Sequence, residues 1–156
     1  MEKRIKELVE KFDLIAHPEG GYYREMYRSE DTLENGKNLM TSIYFLLTEE
    51  NPSKFHRIQS DELWYFHEGS ELNVHFLTEK GRETHRLGLD VEYGQSPYLL
   101  VKGNTIFGSE VKEKNGYALV SCVVSPGFDF NEFELFNTKE LLGMFPNEEK
   151  IIHRLT

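Results

Sequence analysis

From Tyr22 to Phe136 the chain is cut into nine short runs of extended-type sequence, none longer than nine residues. Turn signals separate them: Asn35-Gly36, Glu68-Gly69-Ser70, Gly103-Asn104, Asn115-Gly116 and Ser125-Pro126-Gly127. Glycine and asparagine accept positive φ, and proline cannot donate to a ladder, so chain reversal is written into the gaps. Strands punctuated roughly every 8–12 residues read as a β-sandwich or a closed barrel, and not as a helical bundle.

The runs differ in pattern. Leu39 to Leu47 is apolar almost throughout and reads as a strand buried on both faces. Tyr22 to Arg28 alternates, which puts Tyr23, Glu25 and Tyr27 on one face and Tyr22, Arg24, Met26 and Arg28 on the other. Glu62 to His67, Leu72 to Leu77, Arg82 to Leu89, Tyr98 to Lys102, Thr105 to Val111 and Tyr117 to Ser125 follow, and Phe128 to Phe136 alternates like a further strand. Helices are predicted at both ends. Ile5, Leu8, Val9 and Phe12 recur at helical spacing until His17-Pro18-Glu19-Gly20-Gly21 stops them. Asn137 or Thr138 can cap a turn holding Leu141, Leu142 and Met144. Pro146 breaks it, and Asn147 can cap a last helix with Ile151, Ile152 and Leu155. No linker or repeat divides the chain, so a single domain over residues 1–156 is expected.

Charge narrows the partners. Eighteen basic and twenty-seven acidic residues give a net charge of −9, which argues against a nucleic-acid backbone or an anionic membrane surface. No apolar stretch approaches the roughly 18 residues of a membrane span, and the N-terminus has no signal-peptide core. The single cysteine, Cys122, sits in an apolar run and reads as a buried structural thiol. A cytoplasmic location is the default expectation.

One segment carries more. In Phe55-His56-Arg57-Ile58-Gln59-Ser60-Asp61-Glu62-Leu63-Trp64-Tyr65-Phe66-His67-Glu68-Gly69, Glu62 and Gly69 have the spacing of the first cupin motif, and His56 stands at its first histidine. Ile58 replaces the second histidine. Lys102-Gly103-Asn104-Thr105-Ile106-Phe107 is the counterpart of the second motif, with Phe107 in place of its histidine. The segments His17 to Glu25, Ser42 to Leu47, Ser125 to Phe130 and Phe145 to Thr156 complete, in order, a resemblance to one small cupin family long catalogued as a domain of unknown function. The resemblance implies a mainly β, RmlC-like jelly roll (a double-stranded β-helix) with short terminal helices, usually a homodimer. It implies no secure reaction.

Imidazole and carboxylate ligands suit zinc, iron, manganese or nickel. Only His56 and Glu62 occupy ligand positions, because Ile58 and Phe107 cannot ligate. No cofactor is therefore expected, and a divalent metal, if held, would use His56 and Glu62. The same inward positions suit a small polar or sugar-like ligand, with Glu62 as a carboxylate of raised pKa, Trp64 as an aromatic wall and His56 at the rim. Arg24 and Arg28 can fork an anionic ligand group or pair with acidic neighbours. The alternative is a sugar isomerase or epimerase, with His56 as base and Tyr44 or Tyr65 as acid. His17 to Gly21 reads as a structural turn, with Glu19 accepting backbone N–H groups.

Overall fold

A computed structural model describes all residues, 1–156. Helix α1 (Glu2–Lys11) leads into eleven strands: β1 (Ile15–Ala16), β2 (Tyr22–Arg28), β3 (Thr41–Thr48), β4 (Ser53–Arg57), β5 (Asp61–Gly69), β6 (Leu72–Thr78), β7 (Gly81–Leu87), β8 (Tyr98–Val101), β9 (Ile106–Val111), β10 (Tyr117–Ser125) and β11 (Glu134–Leu135). Helices α2 (Thr138–Met144) and α3 (Glu149–Arg154) end the chain. The strands form a six-stranded sheet, β1-β2-β3-β10-β5-β8, and a five-stranded sheet, β11-β4-β9-β6-β7. All named pairs are antiparallel. No helix is long and apolar enough to cross a membrane.

Alternation decides what lies between the sheets. Phe45 and Leu47 of β3, Trp64 and Phe66 of β5, Val74 of β6, Phe107 of β9 and Val120 and Cys122 of β10 all point inward and pack as one cluster. Helix α1 covers Leu46 and Leu119 on the outer face of the larger sheet. Helices α2 and α3 cover Phe55, Leu77 and Ile106 on the outer face of the smaller one. Burial of β3 on both faces follows from this: Leu46 lies under the helix while Phe45 and Leu47 lie in the barrel.

The last helix is also latched by polar contacts. Arg154 binds Glu110 with two nitrogens, at 3.1 and 2.7 Å, and Glu110 accepts from the buried His75 at 3.0 Å. One residue on, the Leu155 carbonyl accepts from the Phe55 N–H at 2.9 Å, and Phe55 in turn accepts from the Phe136 N–H. The outer edge of β4 is thus closed by β11 and the C-terminal tail.

Three expectations are corrected. Phe128 to Phe136 is not one strand. Asp129 accepts from the Asn131 N–H and turns the chain into a 3₁₀ segment over Phe130–Glu132, leaving only β11 as strand. Residues 53–57, read as loop and motif, form β4. Asn137 does cap α2, accepting from Glu140 N, but the last helix has no side-chain cap at Asn147.

Candidate functional site

Between the sheets, at one end of the barrel, lies a cavity of about 250 Å³. Four of the polar groups that line it come from three places. The turn between β1 and β2 brings His17 and Glu19, β4 brings His56, and β5 brings Glu62. The turn is pinned by backbone that only glycine allows. Gly20 has φ +109°, and a Cβ there would stand 2.0 Å from the Pro52 carbonyl oxygen. Gly21 N–H donates to Asn51 Oδ1 at 3.0 Å.

Hydrogen bonds fix the tautomers of both histidines. His56 Nδ1 lies 2.7 Å from the Lys54 carbonyl, which can only accept, so Nδ1 carries the hydrogen. Burial holds His56 neutral, with its pKa lowered to about 4. Its Nε2 carries no hydrogen and lies 3.1 Å from Glu19 Oε2. Burial and the charge of Glu62 raise the Glu19 pKa well above its ordinary value, which favours the protonated acid. The contact is between two groups held toward their neutral forms, and not an ion pair. Glu19 Oε1 accepts from Ser53 Oγ at 2.8 Å. His17 Nδ1 accepts from the Glu19 N–H at 3.1 Å, so its hydrogen is on Nε2. Burial, with the nearby His56, lowers its pKa to about 4.

Glu62 stands apart. It is 7% exposed, lines the cavity and has no cation within ion-pair distance. Burial raises its pKa to about 7, although the Trp64 indole N–H and the Cys122 thiol behind it favour the charged form. The indole falls short of hydrogen-bond geometry, since Trp64 Nε1 has no partner that meets it. Cys122 is buried, and its thiol pKa is pushed up by burial and by Glu62 and Glu19.

Above these groups sits an aromatic lip. Phe128 and Phe130 line the cavity, with their rings 4.8 Å apart, and Phe133 packs against His56 at 5.5 Å. Arg28 holds the lip down. It donates to Phe128 O at 3.0 Å and Asn38 Oδ1 at 2.8 Å, and twice to Glu25, at 3.3 and 2.7 Å. Lys37 pairs with Glu132 beyond it.

The structure distributes the sequence candidates unevenly. His56 and Glu62 line one cavity. Trp64 does not line it: the ring is fully buried in the core beneath, 5.8 Å from Phe45 and 6.0 Å from Phe107. Tyr44 points to the outer face, stacked 4.8 Å from Phe12. Tyr65 is on that outer face too, beside Tyr98. Arg24 pairs with Asp13 at 2.6 Å, away from the cavity. The residue in its place is Arg28, because a bulge between Glu25 and Tyr27 reverses the alternation that β2 began with. Tyr23, Glu25 and Arg28 then share the cavity side. Reading the sequence as a uniform strand missed this, and it treated His17 and Glu19 as turn residues only. The signal for them was a histidine and a carboxylate two residues apart in a glycine-held turn.

Ile58 is an apolar wall of the cavity, the Phe107 ring packs 4.3 Å from His56, and no three His, Cys, Asp or Glu side chains converge as ligands.

Known proteins match along most of the length. A protein of Shewanella oneidensis, SO0799, has a solved structure that superposes with a TM-score of 0.92 at 41% identity, covering 97% of this chain and 96% of that one. A hypothetical protein from Leishmania major superposes with a TM-score of 0.91 at 36% identity, covering 97% of each. The uncharacterized protein YML079W of Saccharomyces cerevisiae is 29% identical over an alignment of 165 positions that covers 94% of this chain and 82% of the yeast protein. A family model described as Cupin superfamily (DUF985) matches residues 6–136. With its two antiparallel sheets and the His56 to Gly69 motif at the mouth of the barrel, the chain belongs to the cupin superfamily, in the DUF985 family.

Proposed function

We propose that the protein binds a small polar ligand in the barrel cavity and exchanges protons with it. Glu62 acts from one wall and the Glu19–His56 pair from another. The observation that carries this reading is the burial of two carboxyl groups in one cavity, one beside a neutral histidine and one with no ion-pair partner. Unpaired buried carboxyls are costly to a fold and are kept where they act. With a pKa of about 7, Glu62 holds both its acid and its base form near neutrality. Isomerisation or epimerisation next to a carbonyl needs one group to remove a proton and another to return it, and two titratable groups on one cavity meet that demand. The tyrosine on this cavity is Tyr23, and not Tyr44 or Tyr65.

The test is a thermal-shift screen of aldoses, ketoses and hydroxy-carbonyl compounds. Every binder is then assayed by NMR for deuterium uptake at the carbon beside the carbonyl. Wild type should take up deuterium into at least one binder, and Glu62→Gln should not. Equal stabilisation of both proteins by every binder would move the site elsewhere.

A further inference from the structure

The charges lining the cavity do not balance. Three carboxyl groups face it, from Glu19, Glu25 and Glu62, against one permanent cation, Arg28. Arg28 is already committed to Glu25, Asn38 and the Phe128 carbonyl. Both histidines are held neutral, and Glu19 beside His56 is held toward its protonated form. Glu62 is left with no Lys, Arg or His within ion-pair distance and no hydrogen bond of good geometry, while being 7% exposed and turned into the cavity. Four aromatic rings, of Tyr23, Phe45, Phe128 and Phe130, line the cavity together with Ile43, Ile58 and Val124. Ring faces attract cations and repel anions.

We propose that the ligand is a small organic cation, a protonated amine, whose ammonium group supplies the missing counter-charge beside Glu62 with aromatic rings around it. This rests on the reading that the cavity is the ligand site, and adds the charge of what enters. An anionic ligand would have to lie against Glu62 or break the contacts Arg28 makes. A neutral polyol can hydrogen-bond Glu62 but leaves its charge unmatched. The net charge of −9 also draws cations toward the protein at low salt.

The chain has one tryptophan, and its indole N–H stands behind Glu62, so a single NMR signal reports on the site. The ¹⁵N-labelled wild type is titrated with ethanolamine, ethylene glycol and glycolate, which share a two-carbon frame and differ in charge. Glucosamine, glucose and glucuronate repeat the comparison on a ring. Ethanolamine should shift the Trp64 signal with a Kd at least about tenfold below that of ethylene glycol, the size of one desolvated cation–aromatic contact, with glycolate weakest. In Glu62→Gln the amine and glycol should come within about threefold of each other. If that variant does not fold, the wild-type series decides alone. A glycol or sugar that binds as tightly as its amine, or an anion that binds tightest, overturns the inference and keeps the cavity as a ligand site. No movement of the Trp64 signal with any of the six compounds overturns the inference together with the reading beneath it.

Discussion

Replacing Glu62 by glutamine should stabilise this protein at neutral and alkaline pH. The carboxyl has an ordinary pKa of 4.5, raised to about 7 in the fold by burial. Below pH 4.5 it is protonated in both the folded and the unfolded chain and contributes nothing. Between pH 4.5 and 7 the unfolded chain sheds the proton while the folded one keeps it, so stability falls as pH rises. Above pH 7 the whole penalty stands. At about 1.4 kcal/mol per pKa unit, it is about 3 kcal/mol. Glutamine has the same shape and no charge, and no ion pair is lost with it. Glu62→Gln should therefore gain about 3 kcal/mol at pH 8.5, roughly 6–12 °C in Tm for a chain of this size, and close to nothing at pH 4. Glu19 shares part of the effect, because the two carboxyls repel, so removing one charge lowers the Glu19 pKa. Urea unfolding of both proteins at pH 4, 7 and 8.5 measures the difference directly, with all other groups common to both. A variant less stable than wild type at pH 8.5, or a difference that does not change with pH, would refute the picture of an uncompensated carboxyl. Under the proposed function, the gain should coincide with loss of proton exchange.

Four further outcomes are expected. Long-range ¹H–¹⁵N spectra at pH 5.5 should show both His17 and His56 neutral, His17 as the Nε2–H tautomer and His56 as the Nδ1–H one; charged rings there would contradict the lowered pKa values. Gly20→Ala should cost more than about 2 kcal/mol in urea unfolding, since its Cβ meets backbone 2.0 Å away at φ +109°. Arg28→Ala should speed hydrogen exchange at the Gly127 and Phe128 amides, which bond to Asn38 O and Thr41 Oγ1, without changing rates in β10; unchanged lip rates would show that Arg28 does not hold it. Sedimentation equilibrium should give a homodimer of twice 18.3 kDa, joined where β1 leaves the edge of β2 open after Tyr23 and Met26 and Tyr27 are exposed; Tyr27→Asp should weaken it, and a monomeric wild type at micromolar concentration would reject it.

Much of the barrel was legible because its signals are local. Turn residues and period-two alternation mark strands such as β6, β9 and β10 without knowledge of their partners, and the Glu62 to Gly69 spacing set β5 facing inward at Glu62, Trp64 and Phe66. What failed depends on partners. The bulge near Met26 is a property of the β2–β3 pairing, so alternation alone assigned Arg24 to the face that Arg28 serves. The Phe128 to Phe136 alternation was real but was used to set rings over His17 and His56, with Asp129 bending the chain. Trp64 faces inward as expected, yet the barrel is full at its depth, and the cavity opens only above it. Glu19 was the largest omission. Its neighbours Ser53 and His56 are more than thirty residues away in sequence, and no local pattern signals a contact of that separation.

The sealing of β4 by the tail bears on how this protein is handled in the laboratory. An affinity tag fused after Thr156 would pull on the residues whose carbonyl and hydroxyl groups bind Phe55 and Thr138. Shortening the chain before Arg154 would free Glu110 as well. Either change acts on the flank of the strand that carries His56. A ligand screen on such a protein would test a cavity whose His56 strand has lost its outer support. Tags belong at the N-terminal end, where α1 lies against the outer face of the larger sheet.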